Sequence, residues 1–164
     1  MLKSLIAITF FALTLSHPTT ASAQVVEGEE HCVVNIKTSD VLNVRSKPSA
    51  SGKLLGSLDY SECGVVVDEC AGNWCFVESA SVDGWVNNKY ISMVSPALYC
   101  VTGVAPGDKL NLRAYPSTIS KVIAKLSRKQ CDIAFLPYAV GNWQKIRVED
   151  DLEGWVNRKY VSGE

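Results

Sequence analysis

"LNVRSKPS" at residues 42–49 returns as "LNLRAYPS" at residues 110–117. An octet repeated at an offset of 68 decides the fold if its surroundings repeat with it. They do. Cys32 and Cys100, Pro48 and Pro116, and Cys63 and Cys131 keep that offset of 68. Gly72-Asn73-Trp74 then meets Gly141-Asn142-Trp143 at 69, and Gly84-Trp85-Val86-Asn87 meets Gly154-Trp155-Val156-Asn157 at 70, followed by Lys89-Tyr90 and Lys159-Tyr160. A one-residue insertion within a strand turns its side chains to the opposite face, so both slips are expected in loops between strands. Two units result, residues 30–95 and 98–164, joined by a linker, Ser95-Pro96-Ala97.

Within each unit the apolar pattern has period two. Leu42 and Val44 alternate with Asn43 and Arg45, Val65-Val66-Val67 and Ile133-Ala134-Phe135-Leu136 are short apolar runs, and Trp74 to Val77 and Trp143 to Val148 alternate again. Turn-forming residues separate them at Ser49 to Gly52, Ala71-Gly72-Asn73, Val82-Asp83-Gly84, Pro106-Gly107-Asp108 and Val140-Gly141-Asn142. No segment after residue 23 carries a helical period. The pattern predicts an all-β protein with about five short strands per unit, the size of a small barrel. Such a barrel fills its interior with Leu42, Val44, Trp85 and Val86, so the octet recurs first because the fold recurs.

The N-terminus reads as a signal peptide, residues 1–23: Lys3 supplies a positive start, Leu5 to Leu15 is predominantly apolar, and Ala21-Ser22-Ala23 is a small-residue cleavage pattern. His17-Pro18 ends the apolar run well short of the roughly 20 residues a membrane span needs, so no span is expected after cleavage. Export to the periplasm or beyond follows, and in an oxidising compartment six cysteines pair more readily than they bind metal. If Gly72-Asn73 is a two-residue turn, Cys70 faces Cys75 across the hairpin. Gln144 stands at the position of Cys75, and the second hairpin is expected to be one residue longer, confining this bridge to the first unit. Among fifteen possible arrangements, symmetry then supports Cys32 with Cys63 and Cys100 with Cys131.

Charge divides the units. Residues 24–95 hold five Lys and Arg against ten Asp and Glu, net −5, and residues 96–164 hold ten against seven, net +3. Lys121, Lys125, Arg128 and Lys129 crowd one stretch of the second unit, a solvated edge or a surface for an anionic partner. An acidic unit docking on a basic one within the molecule is the further possibility. Catalysis finds little support. His31, the one histidine after residue 23, is expected to be solvated, and Glu27, Glu29 and Glu30 fall in a mobile tail. Glu149, Asp150, Asp151 and Glu153 form an acidic run in a loop, without the fixed separation that paired acid and base carboxylates need. No phosphate-binding loop or zinc spacing is present, and no cofactor or metal is expected. The acidic total argues against nucleic acid as a partner.

A strand "LNVR" followed by Pro-Ser, a Gly-x-Trp hairpin, and "GWVNNKYI" as strand, tight helical turn and last strand resembles the bacterial SH3 (SH3b-type) module. "VTGVAPGDKLNLRAYPS…GNWQKI…GWVNRKYV" resembles it more closely still. The resemblance implies two tandem small SH3-like five-stranded barrels, stapled by disulfides, in a non-enzymatic exported binding protein. It implies peptidoglycan or its stem peptides as the ligand, with peptide segments of an envelope protein as the alternative. Candidate ligand-binding residues are Arg45, Trp74 and Tyr90, their counterparts Arg113, Trp143 and Tyr160, and the cluster Lys121, Lys125, Arg128 and Lys129. Arg45 and Arg113 have a structural alternative, as cations stacked on Trp74 or Tyr90 and their counterparts.

Overall fold

The computed structural model describes residues 25–163; the expected signal peptide, residues 1–23, lies outside the described residues. The described chain is built of strands and three single 3₁₀ turns. Repeat 1 contains β1 (Glu30–Val33), β2 (Val41–Arg45), β3 (Leu54–Asp59), β4 (Val65–Ala71), β5 (Trp74–Glu78), β6 (Gly84–Asn87) and β7 (Ile91–Met93). Repeat 2 contains β8 (Tyr99–Val101), β9 (Lys109–Arg113), β10 (Val122–Ser127), β11 (Ala134–Val140), β12 (Trp143–Val148), β13 (Leu152–Asn157) and β14 (Val161–Gly163). The five expected strands are therefore flanked in each repeat by a short strand at either end. These terminal strands pair with each other, β1 with β7 and β8 with β14.

All ladders are antiparallel. Repeat 1 forms one seven-stranded sheet in the order β3-β2-β6-β5-β4-β1-β7. Repeat 2 repeats that order as five strands, β10-β9-β13-β12-β11, with β14-β8 attached through a single bridge, Tyr99 to Ile133. The octet strand and the Gly-Trp strand lie side by side, Arg45 opposite Trp85 and Arg113 opposite Trp155. That adjacency explains why the two blocks recur together. Gly84 adopts φ 152°, and a Cβ there would sit 2.8 Å from the Arg45 carbonyl oxygen, so a side chain would push the two strands apart.

Period two sorts the side chains as expected. Leu42, Val44, Leu58, Val65, Val67, Val77, Val86 and Ile91 fill the interior of repeat 1, and Leu110, Leu112, Leu126, Ile133, Ile146, Val156 and Val161 that of repeat 2. Trp85 departs from expectation. Gly84 and Val86 are buried on the inner face, so Trp85 points to the outer one, where its ring meets Phe76 edge-on at 5.8 Å.

The two register slips have different structural origins. The slip before Gly154 lies in the connection to β13, as expected, where a 3₁₀ turn (Glu149–Asp151) replaces the Ser79 to Asp83 loop. Glu153 lies beyond that loop, within β13. The other slip is not in a loop, and the two hairpin turns have equal length: Ala71 pairs with Trp74, and Val140 with Trp143. The extra residue sits inside β11. One unpaired residue, Asp68, bulges between Val67 and Glu69, whereas Leu136, Pro137 and Tyr138 stand between paired Phe135 and Ala139 against Lys145 alone. Pro137 lacks an N–H and suits such a site. Gln144 Nε2 donates to the carbonyls of Leu136 (2.7 Å) and Tyr138 (3.1 Å), with the Lys145 carbonyl at 3.0 Å. The residue that replaces Cys75 thus satisfies acceptors that the bulge frees.

That bulge carries the contact between repeats. Leu136 and Tyr138 leave the core of repeat 2 and join Cys32, Val34 and Val94 of repeat 1 in a third apolar cluster, with Tyr60, Cys63, Ala134 and Trp155 packed against it. The buried Tyr138 hydroxyl donates to the Val33 carbonyl at 2.8 Å. Arg147 Nη1 meets Glu30 at 2.8 Å, and the same guanidinium meets Glu153 at 3.0 Å. Burial works against the charged Glu30, but bonds from Arg147 and the Gly64 N–H outweigh it and hold its pKa below the ordinary value. The linker is pinned too: Ser95 N–H donates to the Phe135 carbonyl (3.0 Å) and Phe135 N–H to Ser95 Oγ (2.7 Å). Repeat 1 presents its β1–β7 end and repeat 2 the outer face of β11–β13, so the docking is head to tail.

The N-terminal segment is ordered where a mobile tail was expected. Glu27 accepts from Cys70 N–H (3.0 Å), Gly28 N–H donates to the Val67 carbonyl (2.7 Å), and Val25 packs on the core. His31 is not solvated but fully buried, at 0% exposure. Its Nε2 accepts from Val26 N–H (3.1 Å), which leaves the ring proton on Nδ1, donating to the Glu29 carbonyl (2.8 Å). Burial lowers its pKa, against an opposing pull from backbone bonds to Glu29 and Val65 and from the charges of Glu29 and Glu30. Because the folded pKa lies below the ordinary value of about 6.5, this stabilisation is complete above that pH and declines as pH falls through the folded pKa. The urea midpoint is expected to drop between about pH 7.5 and 5.5 in the parent protein, and to stay level in His31→Gln, whose amide supplies both an acceptor and a donor. An equal drop in both proteins refutes the assignment.

The three expected bridges are present, Cys32–Cys63, Cys70–Cys75 and Cys100–Cys131, with sequence separations of 31, 5 and 31. Replacing Cys100 and Cys131 together by alanine is expected to lower unfolding free energy by about 3 to 4 kcal/mol, against about 2 for Cys70 with Cys75. Chemical denaturation of the two double variants checks the order, and a larger loss from the short loop contradicts it.

Candidate binding grooves

Each repeat has a shallow groove between the octet strand, the hairpin and the 3₁₀ turn, and the two are built from matching residues. In repeat 1 the lining includes Leu42, Asn43, Arg45, Trp74, Asn87 and Tyr90, around a volume of about 230 Å³. In repeat 2 it includes Leu110, Asn111, Arg113, Trp143, Asn157 and Tyr160, around about 240 Å³. Six candidate residues from the sequence, Arg45, Trp74, Tyr90, Arg113, Trp143 and Tyr160, thus gather as two equivalent triads.

Local rules position each group. Trp74 and Trp143 open β5 and β12 directly after a two-residue turn, and both are half-buried. Asn87 and Asn157 cap the 3₁₀ turns, their Oδ1 atoms accepting from Lys89 N–H (3.3 Å) and Lys159 N–H (3.2 Å). Each cap starts the turn that carries Tyr90 or Tyr160. The carboxamide N–H groups remain available as donors. Arg45 Nη1 donates to the Gly52 carbonyl (2.9 Å), and Arg113 Nη1 to the Ser120 carbonyl (2.7 Å). Neither arginine is the stacked cation expected. The cation over Tyr90 is Lys89, at 4.5 Å, and the one over Tyr160 is Lys159, at 4.6 Å. Each arginine ties the loop after the octet, and its guanidinium has further N–H groups beyond the one so used.

The arrangement offers two aromatic rings and a concentration of donors, which suits an extended ligand with apolar side groups and oxygen acceptors. The grooves differ in charge, Asp40 offsetting Arg45 in the first and Lys159 adding to Arg113 in the second, in keeping with the net charges of the repeats. The remaining candidates lie elsewhere. Lys121, Lys125, Arg128 and Lys129 are exposed along β10 and the adjoining turns, and β10 pairs only with β9 at the sheet edge. They form a basic border and line neither groove. Asn87, Asn157 and Lys159 belong to the sites although no motif singled them out as ligand-binding; the capping pattern Asn-x-Lys-Tyr was the signal available.

Comparison with known proteins bears on the same segments. Among solved structures, NlpC2 from Trichomonas vaginalis aligns with a TM-score of 0.39 at 10% identity, over 83% of this chain and 48% of that one. NlpC1 from Trichomonas vaginalis aligns at 0.39 and 11% identity, over 92% and 51%. The chain spans about half the length of each. No curated protein matches it. A family model described as the bacterial SH3 domain matches residues 40–92 and again residues 108–162, and these spans contain both octets, both hairpins and both Gly-Trp strands. On these two matches, covering more than half of its length, the chain belongs to the bacterial SH3 domain family.

Proposed function

We propose that the protein is a non-enzymatic exported binding protein that attaches to the cell wall, each groove holding an extended stem-peptide segment of peptidoglycan. The observation that carries this reading is the recurrence of one aromatic, donor-rich groove in both repeats, built from the same residue types. Family membership supports it, and the three disulfides fit an oxidising compartment outside the cytoplasm. Stem peptides present carboxylates and carbonyls along an extended chain, the complement of Arg113 with the Asn157 amide. The second groove, with Lys159 in its wall and the basic border of β10 near by in the same repeat, is the stronger site for such a ligand.

Sedimentation with purified sacculi tests the proposal. Trp143→Ala is expected to weaken binding about tenfold or more, Trp74→Ala less, with unchanged circular dichroism in both. Raising salt from about 50 to 500 mM is expected to weaken binding of the parent protein, because exposed charges are screened over roughly 10 Å at 0.1 M. Changing Lys121, Lys125, Arg128 and Lys129 together to glutamine is expected to remove much of that salt dependence. Binding that ignores salt and both tryptophans overturns the proposal. Capture of an envelope protein in place of sacculi transfers the grooves to the alternative, a protein–protein interaction module.

A further inference from the structure

The two repeats enclose a larger cleft where they meet, of about 490 Å³, lined from repeat 1 by Val34, Asn35, Tyr60 and Ser61 and from repeat 2 by groups that include Tyr115, Pro137, Tyr138 and Trp155. Its volume falls within the roughly 300 to 1,000 Å³ typical of ligand sites. The cleft collects the positions at which the repeats differ. Tyr115 stands in the second octet where the first has Lys47, Tyr60 is replaced by Arg128, and Pro137 and Tyr138 lie in the wider bulge of β11, where β4 bulges by Asp68 alone. Neither repeat makes this site alone.

Tyr115 is 72% exposed at the border of the cleft, an aromatic that the core does not explain. Tyr60 and Tyr138 meet edge-on at 6.1 Å, with the Tyr138 hydroxyl already bonded to Val33. The formal charge in the lining is neutralised, since Lys145 Nζ lies 2.9 Å from Glu153. The lining is therefore electrically balanced, with four aromatic rings among aliphatic groups, and its polar side chains include the Tyr and Ser hydroxyls and the Asn35 carboxamide, which donates to the Lys89 carbonyl at 2.8 Å. Phenol and serine hydroxyls both donate and accept.

We infer that this cleft binds a neutral sugar chain, two or more pyranose rings of a glycan. The C–H face of a pyranose carries slight positive charge and packs on the negative face of an aromatic ring. Ring hydroxyls, which donate and accept, match Tyr60, Tyr115 and Ser61 in kind. A stem peptide brings carboxylates that no free cation here receives, and a proline-rich segment lacks the N–H groups that would use the acceptors. The inference rests on the cell-wall reading only for the source of the sugar, and it assigns glycan and peptide to separate places on one molecule.

Titration of the purified protein with the tetramer of N-acetylglucosamine, followed by tryptophan fluorescence and by calorimetry, tests it in the absence of any peptide. Saturable binding is expected, weakened fivefold or more by Tyr115→Ala, a change at an exposed side chain that leaves the fold intact. Tyr60→Phe, which removes a hydroxyl and keeps the ring, is expected to weaken it by a smaller factor. Trp74→Ala and Trp143→Ala are expected to leave tetramer binding unchanged while reducing sacculus binding, which separates failure of this site from failure of the grooves. No binding of the tetramer, or binding indifferent to Tyr115, overturns the inference. A proline-rich decapeptide that binds in the tetramer's place and depends on Tyr115 overturns it in favour of a peptide.

Discussion

The bulge in β11 governs the arrangement of the whole molecule. A sheet residue normally faces either its own core or the solvent, and period two decides which. By adding a residue, β11 breaks that alternation and turns Leu136 and Tyr138 toward the neighbouring repeat. The break frees carbonyls, which Gln144 satisfies, and it creates the apolar seat on which Cys32, Val34 and Val94 rest. A buried polar group leaves little latitude in geometry, since an unmade bond costs about 1 to 3 kcal/mol. The bond from Tyr138 to Val33 therefore fixes the relation of the repeats more closely than the linker alone could.

Fixed docking gives the paired grooves a defined separation and direction. Two tethered sites that keep their geometry convert a second binding event into an intramolecular one. The ion pair between Glu30 and Arg147 adds direction, because it joins the acidic repeat to the basic one at a single point. The charge difference between the repeats is in this way partly spent inside the molecule, and the exposed cations of β10 remain outside that contact.

Much of this was legible in the residues, and what escaped shares one physical cause. The repeat, the strands, the first two-residue turn, the bridges and the triads of Arg, Trp and Tyr follow from local pattern or from symmetry between copies, whereas the second turn, expected to be one residue longer, has the same length as the first. His31 next to Cys32 read as a solvated residue because its partners, Val26 and Glu29, belong to a segment whose order depends on Val67 and Cys70 far along the chain. The insertion read as a loop because insertions usually are loops, and only pairing across β12 shows it as a bulge. Glu30 and Arg147 are 117 positions apart, and Tyr138 and Val33 are 105. Such contacts leave no periodic trace. Trp85 differs from expectation for a simpler reason: a residue between two buried neighbours in a strand faces outward whatever its size, so alternation prevails over apolar bulk.

Head-to-tail docking has an implication for assembly. A contact made between two different surfaces of like units is open-ended, so it can in principle be repeated from one molecule to the next into a filament. Here the exposed end of repeat 2 does not match the one that docks. Thr102 stands where repeat 1 has Val34, and Arg128 stands where it has Tyr60. The outer face left open on repeat 1 carries Glu78 where repeat 2 has Arg147. The apolar knob is absent and the charges are rearranged, so neither open surface repeats the chemistry of the contact between the repeats.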